Sequence, residues 1–308
     1  MEILITSERH IVNTILAESP AKARVSEVLG FLPQEFLSFA LPAQRCKDLS
    51  WTRRNGEYTY TVTAGTIMGA DGQPVTELPS GKYARAAAMY LCTRAKLTRS
   101  RRVEIPSAYR TVFSSMGMEW QGMASGREAV RQLMLLAACT VTVTRQAVNE
   151  STGEELYEDK GARFSESMTL WTTKNRAQIS SQGDSEIVLS PMMMDMIDRA
   201  VPIKMESWRW LLSNSRSPMA LDVYVWLCGR LFRINGHVRV TWSQIYEQFG
   251  SRSSLKRFKG NFRDALETAL KVFPEAKIEE DQGTNRIKGF KGYHLYPSPD
   301  PRDSKLPE

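Results

Sequence analysis

The sequence predicts an α+β protein in which two copies of one supersecondary unit follow a separate N-terminal segment. Three observations support this prediction: a repeat at fixed spacing, the same order of helical and alternating apolar patterns in each copy, and turn signals between them. The order is helix, short strand, helix, turn, helix and two-stranded hairpin. A winged helix, which is a helix-turn-helix with a β-wing, has this order. We therefore predict two tandem winged-helix domains that arose by internal duplication.

The repeat has a spacing of 136 residues and needs no gap over about fifty residues. At this spacing Cys228 falls on Cys92 and Arg230 falls on Arg94. Each match is weak by itself. A fixed offset over this length is hard to obtain by chance, so two copies of one unit is the economical interpretation.

Turn signals and composition divide the chain into four parts. Asn55-Gly56 lies between two alternating runs and predicts a hairpin, and the Gly- and Pro-containing residues 70–79 predict a linker. The parts are an N-terminal accessory segment with helices and a hairpin (1–77), winged-helix domain 1 (78–184), winged-helix domain 2 (185–297) and a disordered tail (298–308).

In the first copy, the segment 149–161 is polar and acidic, so we predict a loop between the last two strands. The predicted elements are helices at 80–98, from Pro106 and from Ser125, and strands at 102–105, 140–148 and 164–171, the last two of which form the wing.

In the second copy, the third helix has apolar residues at helical spacing, which predicts that one side packs on the core. This stripe contains Leu255, Phe258, Phe262 and Leu266. The predicted elements are helices at 217–233, 243–249 and 253–273 and strands at 238–241, 277–280 and 290–296.

The positive charge of the chain is concentrated in the second copy. The net charge is +7, and residues 201–296 contain 16 Lys and Arg against 9 Asp and Glu, an excess equal to that of the whole chain. Such a concentration of positive charge is typical of a protein that binds a polyanion. It favours double-stranded DNA as a partner.

The third helix of the second copy is the predicted DNA-recognition helix, because it carries cations beside its apolar stripe and begins with hydroxyl residues that can cap it. For an isolated helix, a solvated charged face is the more ordinary explanation, and winged helices also dock on proteins. Two tandem copies with a basic excess in one favour DNA. The predicted contacts are Arg252, Ser253, Ser254, Lys256, Arg257, Lys259, Asn261 and Arg263, with Arg286 and Lys288 in the wing.

The first copy offers fewer candidates for DNA contacts: Arg127, Arg131 and Gln132. The tip of its acidic loop, residues 154–159, would be repelled by phosphate. We expect this tip to point away from DNA, and we expect the second copy to supply most of the affinity.

The sequence contains no pattern typical of catalysis. It lacks a GxxxxGK[ST] nucleotide-binding loop, its three histidines lie far apart, and its four cysteines form no CxxC pair. We predict no enzymatic activity, no catalytic residue, no metal site and no cofactor. No apolar run approaches a membrane span and the first residues do not resemble a signal peptide, so we expect a cytoplasmic protein with free thiols and no membrane partner.

Five stretches resemble the plasmid-encoded RepA-type replication initiator proteins, and together they cover about two thirds of the chain. Residues 217–227 (SPMALDVYVWL) and 258–266 (FKGNFRDAL) carry the most specific part of the likeness. The stretches are LPSGKYARAAAMYLCTRA (78–95), SEIVLSPMMMDMI with VPIK (185–204), SPMALDVYVWLCGRL (217–231), WSQIYEQFG (242–250) and LKRFKGNFRDALETALKVFPEAKI (255–278).

The resemblance implies tandem winged helices that bind direct repeats in origin DNA, help to open an adjacent AT-rich duplex and recruit host replication proteins such as the helicase and its loader. It also implies that monomers bind the repeats and that a homodimer is inactive in initiation and represses the protein's own promoter. A plasmid transcriptional repressor or copy-number regulator is the alternative function. A strand-nicking or priming enzyme is a third class, and the missing histidine pair and nucleotide loop disfavour it.

Overall fold

The computed structural model describes residues 28–38, 40–106, 113–114, 116–118, 122–172, 183–249, 253–281 and 290–306. Helices predicted near the N-terminus and most of the helix predicted from Pro106 lie outside these residues. The helices are α1 (Gln34–Ser38), α2 (Gly81–Thr98), α3 (Met123–Ala138), α4 (Pro191–Asp198), α5 (Met205–Asn214), α6 (Met219–Arg230), α7 (Trp242–Phe249) and α8 (Leu255–Leu270), with a 3-10 helix at Pro301–Asp303.

The strands form several small antiparallel sheets rather than one large sheet. The orders are β1-β11, β2-β3-β7-β8, β4-β5, β6-β10-β9 and β12-β14-β13. The strands are β1 (Leu29–Leu32), β2 (Ser50–Asn55), β3 (Tyr58–Thr63), β4 (Gly65–Met68), β5 (Pro74–Glu77), β6 (Arg102–Ile105), β7 (Thr140–Val148), β8 (Glu155–Arg163), β9 (Ser165–Thr169), β10 (Ser185–Leu189), β11 (Val201–Lys204), β12 (Val238–Thr241), β13 (Ile278–Asp281) and β14 (Gly292–Leu295).

The two three-stranded sheets have the same strand order relative to their helices. We call α2, β6, α3, β9 and β10 the first unit, and α6, β12, α7, α8, β13 and β14 the second unit. In each unit the last strand lies in the centre of the sheet, between the strand that follows the first helix and the first strand of the hairpin. The registers correspond as well, since Ile105 pairs with Ser185 and Thr241 pairs with Gly292.

The predicted wing of the first unit is wrong in its pairing. Strand β7 pairs with β3 and β8, and the partner of β9 is β10. The segment that we predicted as an acidic loop therefore contains the first seven residues of β8. Eight of the nine residues of β8 are exposed, so it shows no apolar alternation, and backbone hydrogen bonds to β7 hold it at the edge of its sheet.

The hairpin predicted at Asn55-Gly56 is confirmed: β2 pairs with β3, and Gly56 adopts the positive φ that this turn requires. The predicted linker is a second hairpin, because β5 pairs with β4 across residues 69–73. The N-terminal segment is joined to the rest of the chain by β-pairing at two places, β3 with β7 and β1 with β11.

One continuous hydrophobic core runs through both units and part of the N-terminal segment. Its centre contains α2 and α6, and most of their residues are buried. Between these helices lies a buried ion pair: the Arg85 Nε and Nη2 atoms each donate to an Asp222 carboxylate oxygen at 2.6 Å. Arg85 also donates to the carbonyls of Leu41 and Pro42, so the pair connects both units with the N-terminal segment.

Strand pairing and hydrogen bonds cross the predicted domain boundaries. Strand β10 begins at Ser185, so the first sheet extends across the boundary placed between residues 184 and 185. The tail predicted to be disordered is docked as far as Leu306. The Lys204 ammonium donates to the Ser304 carbonyl at 2.5 Å, the Ser304 hydroxyl donates to Glu275 at 2.6 Å, and Pro301 is buried.

Candidate nucleic-acid interface

Helix α8 is fixed to the second unit by its apolar side. Phe258, Phe262 and Ala269 are fully buried. Phe262 makes edge-to-face contacts with Trp242 and Phe249 at ring-centroid distances of 5.7 and 5.2 Å. The predicted amphipathic helix is therefore confirmed, and its polar face is held in a defined orientation.

The start of α8 is capped and tied to the preceding helix. The Ser254 hydroxyl accepts a hydrogen bond from the Arg257 backbone N–H at 3.4 Å, as the sequence predicted for a capping serine. The Tyr246 hydroxyl of α7 donates to the Ser253 carbonyl at 2.8 Å. This hydrogen bond ties α7 to the residue before the cap of α8, and Arg252 lies outside the described residues.

Three predicted contact residues lie in the first half of α8, with Lys256 on one flank of its polar side and Arg257 and Asn261 on the other. Lys256, Arg257 and Asn261 are exposed, and their side chains make no ion pair or hydrogen bond with the residues that the structure describes. Leu255, which we predicted to face the core, is instead 41% exposed beside them. A helix N-terminus attracts anions, so these cations and the helix dipole act in the same direction.

The other two predicted cations of α8 are partly exposed and contact residues of the second unit. The Lys259 ammonium and the Arg263 guanidinium lie 5.3 and 5.2 Å from the centroid of the Trp242 ring. Arg263 also donates to both carboxylate oxygens of Glu280 in β13, at 2.6 and 2.9 Å. This contact lowers the pKa of the Glu280 carboxyl and raises that of Arg263. The wing residues Arg286 and Lys288 lie outside the described part of the chain.

The predicted contacts in the first unit are mostly engaged within the protein. Arg131 forms ion pairs with Glu77 and Glu128. Gln132 is 2% exposed, accepts a hydrogen bond from the Ser80 backbone N–H at 2.8 Å and donates to Glu128 at 2.7 Å. The structure therefore places Gln132 in the core, where it holds the start of α2 against α3. Arg127 is exposed.

Sequence reasoning missed a histidine pair at the back of the second sheet. The His237 Nε2 and His294 Nδ1 atoms are 2.5 Å apart, and His294 Nε2 lies 3.0 Å from an Asp281 carboxylate oxygen. The two histidines are 57 residues apart, and β-pairing brings them together, so no local sequence pattern could have revealed this chain of hydrogen bonds. It links the start of β12 to the end of β13.

Within the described residues, no group of three or more His, Cys, Asp or Glu side chains has a geometry that could hold a metal ion. The cysteines are free thiols, three of them buried; burial raises the pKa of Cys139 to about 12. The same residues include no helix that is long and apolar enough to cross a membrane.

The fold and this surface define a mixed α+β protein that presents a capped, basic helix to solvent. Residues 78–244 match the family described as plasmid encoded RepA protein. Because this match covers more than half of the chain, the protein belongs to the plasmid-encoded RepA family, as the sequence resemblance predicted. Membership supports a role in plasmid replication.

Two similar solved structures are of domains 2 and 3 of RctB. A selenomethionine crystal structure aligns with a TM-score of 0.53 and 8% identity over 87% of this chain and 99% of that chain. A second structure of the same domains gives a TM-score of 0.49 and 9% identity over 87% and 98%. At this identity the first likeness shows the fold alone. No curated protein sequence matches the chain.

Proposed function

We propose that this protein is a plasmid replication initiator that binds repeated double-stranded DNA sites at the plasmid origin. The observation that carries this proposal is the exposed basic face of α8, with Lys256 and Arg257 beside a capped helix start that the second unit holds rigidly. A helix of this kind fits the major groove of DNA, where its first turns contact base edges and phosphates. Family membership supplies the link to plasmid replication.

We further propose that both units are winged helices related by duplication. The shared strand order, the corresponding registers and the sequence repeat all support this interpretation. In such a domain the hairpin after the recognition helix is the wing, so the wing of the second unit is β13–β14 and that of the first unit is β9–β10. The hairpin β7–β8 is then an insertion in the first unit.

The remaining parts of the proposal come from the family. DNA-bound monomers would help to open an AT-rich duplex and would recruit host replication proteins such as the helicase and its loader, without enzymatic activity of their own. A homodimer would be inactive in initiation. The cation-rich helix supports only the DNA-binding step of this sequence of events.

The direct test is a charge reversal at Lys256, measured by fluorescence anisotropy with duplexes tiled across the DNA that flanks the gene. Lys256→Glu is expected to weaken binding to the cognate duplex by about tenfold or more, because it removes a phosphate contact and adds a repelling charge. The milder Lys256→Gln should lower the slope of log Kd against log salt by about one.

Lys271→Glu is the matched control, because Lys271 is exposed at the other end of the same helix, about 22 Å from Lys256. It should bind almost as wild type does. Equal weakening by both substitutions would indicate nonspecific charge attraction and would contradict a recognition role for the start of α8.

A transcriptional repressor or copy-number regulator with the same domains is the alternative, and genetics separates the two. An initiator is required for replication of a plasmid that carries its binding sites, whereas a repressor is dispensable. A nicked product after incubation of supercoiled origin DNA with Mg²⁺ would favour a strand-nicking enzyme instead.

A further inference from the structure

The contact between Arg263 and Glu280 joins the predicted recognition helix to the first strand of its hairpin. Arg263 Nη2 and Nε donate to the two Glu280 oxygens at 2.6 and 2.9 Å. This is the paired geometry in which a guanidinium and a carboxylate interact most strongly. The Arg263 side chain is 45% exposed and the Glu280 side chain 19% exposed.

Further contacts hold this ion pair from the side of the core. The Arg263 guanidinium lies over the ring of Trp242, which is 4% exposed at the start of α7. The Tyr293 hydroxyl of β14 lies 3.4 Å from a Glu280 oxygen, and the Trp242 side chain also hydrogen-bonds Glu280. Helices α7 and α8 and strands β13 and β14 therefore meet at one cluster, Trp242, Arg263, Glu280 and Tyr293.

The charges in this cluster oppose a direct phosphate contact by Arg263. To bind a phosphate, Arg263 would have to share or release its paired hydrogen bonds to Glu280. Glu280 would then remain as a partly buried carboxylate without its cation, close to another anion, which is unfavourable. Lys256 and Arg257 face no such competition, because no described carboxylate pairs with them.

We propose that Arg263 is a positioning residue: it holds β13 against α8 through Glu280 and so fixes the hairpin relative to the DNA-reading face of the helix. This inference rests on the proposed function, since it assumes that α8 binds DNA. It differs from the sequence prediction, in which Arg263 contacts DNA itself. Glu280 is the residue before the end of β13 at Asp281, so the contact holds the end of this strand on α8.

The two roles predict opposite effects of removing the carboxylate. If Arg263 contacts phosphate, Glu280→Gln frees the guanidinium and removes a repelling charge, so DNA binding becomes tighter. If Arg263 positions β13, Glu280→Gln weakens DNA binding, by about three- to thirtyfold for coupling energies of the usual size. The comparison uses the full-length chain and the same duplexes and anisotropy measurement as above.

The salt dependence gives a second readout that separates the roles. Arg263→Gln should weaken binding while the slope of log Kd against log salt stays at the wild-type value, whereas Lys256→Gln should lower this slope by about one. The exchanged pair Arg263→Glu with Glu280→Arg should bind within about threefold of wild type, since it restores the ion pair. Each single reversal should bind far more weakly.

Tighter binding by Glu280→Gln, or a lower salt slope in Arg263→Gln, would overturn the positioning role. Circular dichroism melting of each variant separates loss of positioning from loss of folding, and the exchanged pair provides the rescue if a single variant unfolds. A wild-type protein that binds none of the duplexes refutes the proposed function and this inference with it. If Lys256→Gln behaves as expected and the exchanged pair fails to bind, only the positioning role is refuted.

Discussion

The two units share a sheet order and differ in the surface that surrounds it. In the second unit the start of α8 presents Lys256 and Arg257 to solvent, whereas in the first unit Arg131 is paired with two glutamates and Gln132 is buried. In the described residues, the hairpin β7–β8 lies between α3 and β9, whereas β13 is the next element after α8. The two units thus share a strand order in their packed sheets and differ in the charge on their polar faces.

The Arg85–Asp222 ion pair joins the first helices of the two units directly. At the repeat spacing, Asp222 falls on Ala86, the residue next to Arg85, so the helices meet at nearly equivalent points. Asp222→Ala should lower the free energy of unfolding by about 3–5 kcal/mol, because it leaves a buried guanidinium without its carboxylate. Urea unfolding measures this change, and a loss below about 1 kcal/mol would show that the pair does not couple the units.

A second substitution tests whether corresponding positions tolerate the same side chain. Gly292 and Ser185 occupy the same place in the two sheets, but a Cβ at Gly292 would lie 2.1 Å from the Val240 carbonyl oxygen. Gly292→Ala should therefore lower the free energy of unfolding by about 1–3 kcal/mol or more. Ser185→Ala, which loses only a hydrogen bond from the Trp171 backbone N–H at 2.9 Å, should cost about 1 kcal/mol. Equal losses of stability in Gly292→Ala and Ser185→Ala would contradict the difference in packing.

The third prediction concerns the share of DNA affinity in each unit. Arg127 is exposed at the start of α3, the helix that corresponds to α8. Arg127→Glu should weaken DNA binding by only about two- to threefold, against about tenfold or more for Lys256→Glu, because fewer cations surround it. Anisotropy at two salt concentrations provides the comparison. A larger effect of Arg127→Glu would reverse the ranking of the units.

The smallest expected effect is on the pH dependence of the free energy of unfolding, to which the Arg263–Glu280 ion pair of the second unit contributes. Hydrogen bonds from Arg263 lower the pKa of Glu280 below its ordinary value of 4.5. The ion pair therefore stabilises the folded state fully at a pH above 4.5, and this stabilisation disappears as the pH falls through the lowered pKa of Glu280. Because the pair is partly exposed, its contribution to the free energy of unfolding is less than about 1 kcal/mol.

Glu280→Gln should remove this part of the acid dependence in urea unfolding between pH 3 and 6. Glu186→Gln makes the same change at a glutamate of the first sheet and is the matched control for Glu280→Gln. Identical acid profiles for wild type and Glu280→Gln would show that the contact adds no stability.

The sequence alone could predict a structural feature when the residues that determine it lie close together in the chain. Helix α8 and the second sheet were predictable because apolar periodicity and turn residues report burial directly. Strand β8 was not, because both of its faces are exposed. The burial of Gln132 was not predictable because its partner Ser80 lies 52 residues away. The ion pair of Arg263 was not predictable because its partner Glu280 lies in a different element.

The pairing of β1 with β11 has a consequence for synthesis on the ribosome. Leu29 pairs with Lys204, so the first described strand cannot find its partner until more than 170 further residues have been translated. At ordinary elongation rates this takes about 10–35 s. Until then β1 has no strand partner, and Phe31, which ends 1% exposed, can pack only on earlier parts of the chain such as Leu97 of α2.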